Sequence, residues 1–312
     1  MDDILELDLL HATISNLSLA LETGTISSVS LTAAYIDRIN QVNEYFRAVL
    51  EINPDAECIT KALGEEQKVT KRCGPLHGIP ILFKDSIATL DSMQTTAGSS
   101  TLIGTRPSQD AHLVQKFRQD GAVILGKINM SEWANFRTVT GDTGGWSPRG
   151  GLAYGPFYPN MRASGSSSGS AVATALGLAA ASIGAEKAVK VKEYFGGEGG
   201  IPGVIDKYGV DVVAAPASYG PMVSLAARGG LPVIVVPLGK YPDGTEVEYL
   251  SIGGKVVVDV GPGIPFGVTF AGGAHSERTL LWVAYAFEQL KKVRQSLVSF
   301  NAPKAGLKAS TG

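Results

Sequence analysis

A short run of small hydroxyl residues between glycines is the part of the sequence best suited to chemistry. It reads Gly-Ser-Ser-Ser-Gly-Ser-Ala and spans residues 165–171. Glycine lets a backbone approach a ligand closely and adopt a positive φ. A small-residue pattern typical of a helix follows at once, and a helix N-terminus offers unpaired N–H groups and a positive dipole end. The serines of this run are therefore candidates for catalysis, and the alternative is a flexible polar loop.

A lysine at the end of an apolar run is the second candidate. The run from Ile79 to Phe83 delivers Lys84 and Asp85 to a loop of small residues. Desolvation would lower the pKa of this lysine and make its neutral amine available as a base. The alternative is a lysine whose charged end reaches solvent or pairs with a carboxylate.

Two further polar residues follow a predicted strand. Residues 122–126 read as a buried strand between a helix at 109–120 and another helix that starts at Ser131. This alternation is typical of a sheet covered by helices. Lys127 and Asn129 follow at the carboxyl end of the strand, where ligands often bind in open α/β sheets. They are equally compatible with ordinary polar loop residues.

The remaining pattern of apolar residues also predicts alternating helices and strands. Helices are expected at 4–22, 30–43, 55–70, 201–209 and 276–293, and strands at 47–53, 210–216, 231–237, 255–260 and 266–270. We expect Ser27 or Ser30 to cap the second helix, because serine is a preferred N-cap residue. The fold class predicted from this order is α/β.

Composition and charge argue against several classes of partner. The 27 basic and 29 acidic residues give a formal charge of −2 without a basic stripe, which argues against direct nucleic-acid binding. No run approaches the ~18–20 apolar residues of a membrane span. The first residues lack the basic region of a signal peptide, so a cytoplasmic location is expected. Two cysteines, Cys58 and Cys73, lie outside any CxxC motif, so we expect a reducing compartment, no metal site and no cofactor.

Several longer segments resemble the amidase signature family, within it the fungal and bacterial amidases related to glutamyl-tRNA amidotransferase A subunits. In the first half they are LHGIPILFKDSIATLDSMQTTAGSS, GAVILGKINMSEWANFR, GWSPRGG and GSSSGSAVATALGLAAASIGAE. In the second half they are DKYGVDVVAAPAS, GGLPVIVVPLGKYPDG and PFGVTFAGGAHSERTLLWVAYAFEQ. Together with the opening helices they cover most of the chain, in family order. The resemblance implies an α/β fold with an amidase-signature-like mixed sheet, covered by helices on both faces.

The resemblance also implies a site and a reaction. The family hydrolyses carboxamide C–N bonds with a lysine, a serine in a cis peptide and a nucleophilic serine. Lys84 matches the lysine and Ser166 matches the serine of the cis peptide, with Gly165 and Ser167 as supporting residues. In this scheme the neutral lysine takes a proton from the bridging hydroxyl, which takes one from the nucleophile. The implied substrate is a small carboxamide, and no cofactor is implied.

The sequence departs from the family pattern after Glu186. The family continues into a Gly-Ser turn that supplies the nucleophile and the oxyanion-hole amides, whereas residues 187–217 of this chain contain no serine. No nucleophile can be identified, unless Ser166 itself attacks with Lys84 as its base, which requires the two to be within hydrogen-bond reach. A large internal segment is therefore expected to be missing, and the sheet to be incomplete.

We expect a single amidase-signature-like domain over residues 1–312. Its predicted parts are an N-terminal part at 1–186, a junction at 187–200, a C-terminal part at 201–297 and a tail at 298–312 that is expected to be mobile. Three functions remain open at this point. The chain is an active carboxamide hydrolase, or a catalytically inactive truncated form (alternatively a gene-model error), or a non-catalytic, amidotransferase-like subunit. The pattern does not predict an oligomeric state.

Overall fold

The computed structural model divides the chain into two compact units. The residues that the structure describes are 7–70, 73–135, 144–185, 197–217, 220–304 and 306–307. The first unit comprises Met1–Ala185, Leu250–Val257 and Ser299–Gly312, and the second comprises Glu186–Tyr249 and Val258–Val298. The first boundary between the units therefore falls where the sequence departs from the family pattern. No helix within the described ranges is both long and apolar enough to cross a bilayer.

The helices of the first unit largely follow the predicted order. They are α1 (Ile14–Glu22), α2 (Ser28–Phe46), α3 (Ala56–Thr70), α4 (His112–Gln119) and α5 (Ser168–Ala175). The helix predicted at 4–22 is wrong for residues 7–13, which are described and form no helix. It begins at Ile14, because the Thr13 hydroxyl accepts the N–H of Asn16 at 3.1 Å and caps the helix there. Ser27 caps α2 in the same way, because its hydroxyl accepts the N–H of Ser30. Of the two predicted caps, Ser27 and Ser30, the structure therefore selects Ser27.

A four-stranded mixed sheet forms the centre of the first unit. The strands of this unit are β1 (Val49–Ile52), β2 (Pro80–Lys84), β3 (Val123–Ile128), β4 (Trp146–Ser147), β5 (Gly151–Leu152), β6 (Tyr154–Gly155), β7 (Met161–Arg162) and β8 (Ala181–Ile183). The central sheet has the order β1-β3-β2-β8, with β2 parallel to both β3 and β8 and with β1 antiparallel to β3. All residues of β2 and β3 are buried, as expected for central strands covered on both faces.

One predicted helix of the first unit is wrong. The residues after Ser131 form only a 3₁₀ turn at Glu132–Asn135, in which Trp133 and Ala134 have φ values of 49° and 53°. The N–H of Trp133 donates to the carbonyl of Ala97 in another loop at 2.9 Å, whereas the N–H of Ala134 closes the turn on the carbonyl of Ser131 at 2.8 Å. Tertiary hydrogen bonds thus replace the helical ones that the local pattern predicts.

The second unit contains a three-stranded antiparallel sheet of order β10-β13-β9. The elements after Gly200 are α6 (Ile201–Tyr208), β9 (Val213–Pro216), α7 (Gly220–Gly229), β10 (Val233–Lys240), β11 (Glu248–Ile252), β12 (Lys255–Val260), β13 (Pro265–Ala271) and α8 (Glu277–Lys291). Two apolar clusters hold the unit together, one around Met222, Ala226 and Leu231 and the other around Phe270 and Leu280. The sequence pattern predicted neither α7 nor β11.

The described residues of the predicted tail, from Ser299 on, pack against other parts of the first unit. The ring of Phe300 lies 5.7 Å from the rings of both Tyr45 and Phe46. The N–H of Lys304 donates to the side-chain oxygen of Gln41 at 2.8 Å. Leu307 is buried in the main apolar core. Packing against α2 therefore orders this segment, although its own sequence carries no periodic pattern.

Candidate active site

Lys84 occupies the last position of β2 and is fully buried. Strand β2 lies between β3 and β8, and its side chains Ile81, Leu82 and Phe83 are all buried in the main core. The apolar run is therefore buried, as its composition predicts, and it places the long side chain of Lys84 in the interior at the carboxyl end of a central strand.

The serine loop approaches Lys84 from the start of α5. Gly165 has a φ of +86°, a left-handed conformation that glycine adopts without strain. The next residue, Ser166, is 9 % exposed, and Ser167 is half-buried at the N-cap of α5. The chain thus turns sharply at the glycine and presents two successive hydroxyl groups before the helix begins.

The two candidates of the sequence meet in the structure. The Lys84 Nζ atom donates to the Ser166 Oγ at 3.1 Å and to the Ser167 Oγ at 2.7 Å. It also donates to the backbone carbonyl of Ala185 at 2.6 Å. The Ser167 hydroxyl in turn lies 3.5 Å from the same carbonyl. The site is therefore a buried nitrogen surrounded by three oxygens, two of which belong to the serine run.

The cis peptide implied for Ser166 is wrong for this chain. The peptide bonds of the described residues, Gly165 to Ser168 among them, are all trans. A cis bond before a residue other than proline costs ~3–4 kcal/mol and persists only where the surrounding structure enforces it. Here the positive φ of Gly165 makes the turn, and trans bonds suffice to bring Ser166 and Ser167 to Lys84.

Ser131 fixes the serine loop, and the sequence pattern did not single it out. Its hydroxyl donates to the carbonyl of Gly165 at 3.0 Å, and its N–H donates to the carbonyl of Ser166 at 3.3 Å. The same hydroxyl accepts the N–H of Gly145 at 2.8 Å. In the sequence, the available signal was a serine shortly after a predicted strand. Its partners could not be predicted, because they are distant in the sequence and are backbone atoms.

The carboxylate of Asp85 belongs to a separate buried network beside the site. It accepts hydrogen bonds from the Thr96 hydroxyl at 2.5 Å, from the N–H of Gly98 at 2.9 Å and from the Arg149 guanidinium at 2.7 Å. Arg149 also forms a short ion pair with Glu51. Asp85 therefore anchors the loop that follows β2 and thereby holds the strand end that carries Lys84.

The side chains of Lys127 and Asn129 hydrogen-bond groups other than Lys84 and the serines at 166 and 167. The Lys127 Nζ donates to the carbonyl of Ile87 at 2.6 Å and to the Thr95 hydroxyl at 2.8 Å. Burial lowers the pKa of Lys127 to about 8, although the charge of Asp85 opposes this shift. The amide of Asn129 donates to the carbonyls of Arg47 and Gly151. Of the alternatives left open by the sequence, the structure favours polar residues that tie loops together.

The other hydroxyls of the serine run are not among the hydrogen-bond partners of Lys84. Ser168 and Ser170 are buried, and their hydroxyls make no hydrogen bond within the part of the chain that the structure describes. In the same part of the chain, no three His, Cys, Asp or Glu side chains cluster closely enough to hold a metal ion. Lys84, Ser166 and Ser167 are therefore the side chains that the structure brings together at the candidate site.

Comparison with known proteins identifies the family. The family model described as Amidase matches residues 30–188, slightly more than half of the chain, and this range contains Lys84 and the whole serine run. The chain belongs to the amidase family.

Two curated relatives illustrate how much of a family member the chain represents. A candidate amidase of Arthroderma benhamiae is 47 % identical over 52 % of this chain and 27 % of its own length. The A subunit of the glutamyl-tRNA(Gln) amidotransferase of an Azoarcus species is 28 % identical over 96 % of this chain and 63 % of its own length. The chain thus spans less than two thirds of the length of either relative.

Solved structures show the same fold. The structure of the native peptide amidase of Stenotrophomonas maltophilia superposes with a TM-score of 0.73 at 22 % sequence identity, and the matched regions extend over 96 % of this chain and 99 % of that chain. At this level of identity the likeness concerns the fold. It agrees with the mixed α/β architecture expected from the sequence.

Proposed function

We propose that this chain carries the lysine and bridging-serine half of an amidase site and does not itself complete the hydrolysis of carboxamides. The observation that carries the proposal is the contact of the buried Lys84 Nζ with the hydroxyls of Ser166 and Ser167, at 3.1 and 2.7 Å. A base within hydrogen-bond reach of a hydroxyl is the arrangement required for proton transfer in nucleophilic catalysis. This contact supports the assignment of Lys84 and Ser166 to the lysine and bridging-serine positions of an amidase site.

The missing half is the acyl-enzyme nucleophile. Residues 186–217 contain no serine, threonine or cysteine, although the family pattern places the nucleophile soon after Glu186. The family match also ends at residue 188. These two observations support the proposal that the segment with the nucleophile and the amides of the oxyanion hole is missing from this chain.

Ser167 is a poor substitute for that nucleophile. Its hydroxyl already accepts a hydrogen bond from Lys84 and lies 3.5 Å from the carbonyl of Ala185, which is an acceptor and cannot stabilise an oxyanion. The nearby N–H of Gly169 is committed to the carbonyl of Asn129 at 3.1 Å. Loss of a single oxyanion-hole donor costs about 10²–10³ in rate. Efficient turnover by Ser167 is therefore not expected.

A serine-directed fluorophosphonate probe tests the proposal on the purified chain. Peptide mass spectrometry locates any adduct, and ammonia release from small carboxamides is measured in parallel. We expect no labelled serine, and ammonia release equal to that of the Lys84→Met variant. An active amidase relative, treated in the same way, shows that probe and substrates are competent.

Labelling of Ser166 or Ser167 that disappears in Lys84→Met would overturn the proposal. It would establish a lysine–serine dyad hydrolase, the alternative favoured by the 2.7 Å contact between Lys84 and Ser167. Transcript sequencing across the Glu186/Lys187 junction addresses the origin of the truncation. Reads that carry an additional coding segment would assign the short form to a gene-model error.

A further inference from the structure

A cysteine and a histidine form a close pair in the turn that precedes β2, away from the lysine and the serines. The Sγ of Cys73 lies 3.0 Å from the Nδ1 of His77. The opposite ring nitrogen of His77, Nε2, lies 3.0 Å from the backbone carbonyl of Leu63. Cys73 is exposed and His77 is fully buried. A nucleophile, a base and a group that orients the base are therefore connected in series by two contacts.

The hydrogen bonds of His77 define which nitrogen carries the proton. The carbonyl of Leu63 can only accept, so Nε2 bears the hydrogen. Nδ1 receives the backbone N–H of Cys73 at 3.4 Å, which requires a free lone pair on that nitrogen. The free lone pair of Nδ1 can then accept the hydrogen of the thiol across the 3.0 Å contact. The imidazole is therefore placed to act as a base toward Cys73.

Gly121 makes room for this pair. A β-carbon at this position would lie 2.7 Å from the Cys73 Sγ and 2.9 Å from the His77 Nδ1. The φ of Gly121 is +78°, a conformation that favours glycine, and its carbonyl accepts the N–H of Gly78 at 2.8 Å. The glycine thus holds the turn in place and leaves the space in which sulfur and imidazole meet.

We propose that Cys73 is a modification site, a thiol that peroxides oxidise with His77 as general base. The sulfur attacks one oxygen of hydrogen peroxide, so that the S–O bond forms while the O–O bond breaks. The thiol proton passes to His77 Nδ1 and then to the departing hydroxide, which leaves as water. The sulfur loses two electrons to the peroxide, and the product is a sulfenic acid. A thiol reductant restores the cysteine through a mixed disulfide.

Cys58 is the matched control within the same molecule. It is exposed like Cys73, and no imidazole of the described residues hydrogen-bonds it. It lies in the first turn of α3, outside the turn that holds Cys73. Any preference for Cys73 is then due to His77 and not to exposure.

The experiment follows oxidation of the full, reduced chain at pH 7 by limiting hydrogen peroxide, with dimedone to trap sulfenic acid. Mass spectrometry quantifies the trapped product at each cysteine. We expect Cys73 to react at least about tenfold faster than Cys58, a threshold set below the ~10²–10⁴-fold that a positioned acid or base typically contributes. In 8 M urea, where the pair is separated, the two rates should become equal. Equal rates in the native chain would refute the proposal.

The variant His77→Gln supplies a second test. We expect its Cys73 rate to fall to that of Cys58, while the Cys58 rate stays as in the wild type. Because His77 is buried, far-UV circular dichroism of the variant accompanies the rates. A folded variant that keeps the fast rate at Cys73 would overturn the role of the imidazole. If the variant does not fold, the comparison of native and urea-treated wild type decides alone.

Discussion

The Nζ of Lys84 lies 2.7 Å from the hydroxyl of Ser167, and so lies nearer to this residue than to Ser166, at 3.1 Å. The same nitrogen donates to the carbonyl of Ala185 at 2.6 Å. An amine removed from water requires acceptors of this kind, because an unsatisfied buried polar group is costly. Lys84 thus joins β2, the serine loop and the end of the segment after β8, whatever chemistry it performs.

Replacing Lys84 by Met should destabilise the chain. The substitution keeps the length of the side chain but removes the donor shared by three buried or half-buried oxygens. We expect the free energy of unfolding to fall by about 1–3 kcal/mol, measured by urea denaturation at pH 7. The control is Lys61→Met, since Lys61 is exposed and pairs only with Glu57 on α3. A loss no greater than that of the control would contradict a structural role for Lys84.

Neutralising Asp85 should cost more. In Asp85→Asn the side-chain volume is preserved, but Arg149 loses one of its two carboxylate partners in a buried site. Removing one member of a buried ion pair costs about 3–5 kcal/mol, and the remaining pair with Glu51 places the expectation at about 3 kcal/mol. The measurement is the same urea titration, with Glu57→Gln on the exposed face of α3 as the control. If both variants unfold at the same urea concentration, the Asp85 network does not stabilise the fold.

Local sequence patterns predicted those parts of the site that depend on local physics. Five apolar residues before Lys84 predicted a buried run, and this run is strand β2, whose last residue, Lys84, is fully buried. Glycines around the serines predicted a tight turn into a helix, and Gly165 makes that turn. Both features follow from side-chain polarity and backbone freedom within a few residues, which a sequence displays directly.

Features that depend on distant backbone atoms were not predictable from the sequence. The carbonyl of Ala185 contacts Lys84 across 101 positions of the chain, and no side-chain type identifies a carbonyl in advance. The left-handed residues Trp133 and Ala134 break a pattern that favours a helix, because tertiary hydrogen bonds outweigh the small local preference. Strand β8 has only three residues, too few for a periodic pattern.

The stability of the chain should rise with pH in a way that depends on Lys127. In the unfolded chain this lysine has a pKa of 10.5, whereas burial lowers its pKa to about 8 in the folded chain. Between these values the unfolded state binds more protons, so the free energy of unfolding increases with pH. A change of one in a pKa corresponds to about 1.36 kcal/mol. From pH 7.5 to 9.5, the free energy of unfolding of the wild type should therefore rise by about 2 kcal/mol relative to that of Lys127→Met.

Urea titrations at several pH values measure this difference. The comparison uses Lys61→Met, because hydrogen bonding to Glu57 raises the pKa of Lys61 and its proton is retained throughout this range. The wild type and this control should therefore differ by the same amount at every pH. If the free energies of unfolding of the wild type and Lys127→Met also differed by the same amount at every pH, Lys127 would have the same pKa in the folded and the unfolded chain.

The last prediction concerns two helical glycines, Gly169 in α5 and Gly64 in α3, for which substitution by alanine should change the stability in opposite directions. A β-carbon on Gly169 would collide with the backbone oxygen of Asn129 and lie 2.6 Å from that of Ala48. Backbone atoms yield little, so Gly169→Ala should cost about 1–3 kcal/mol, as overpacked sites do. Gly64 lies inside α3, and no atom lies within 4 Å of the point that a β-carbon would occupy there. Gly64→Ala should therefore stabilise the chain by about 0.5–1 kcal/mol.

Urea denaturation of the two variants tests both signs at once, with the wild type between them. Because Gly169 follows Ser167 by two residues, a shift of α5 would also move the serine loop away from Lys84. The cost of Gly169→Ala should therefore shrink in a Lys84→Met background, where that contact is already absent. Equal costs in the two backgrounds would mean that α5 and the serine loop move independently, and that the lysine–serine contact does not depend on the close approach at Gly169.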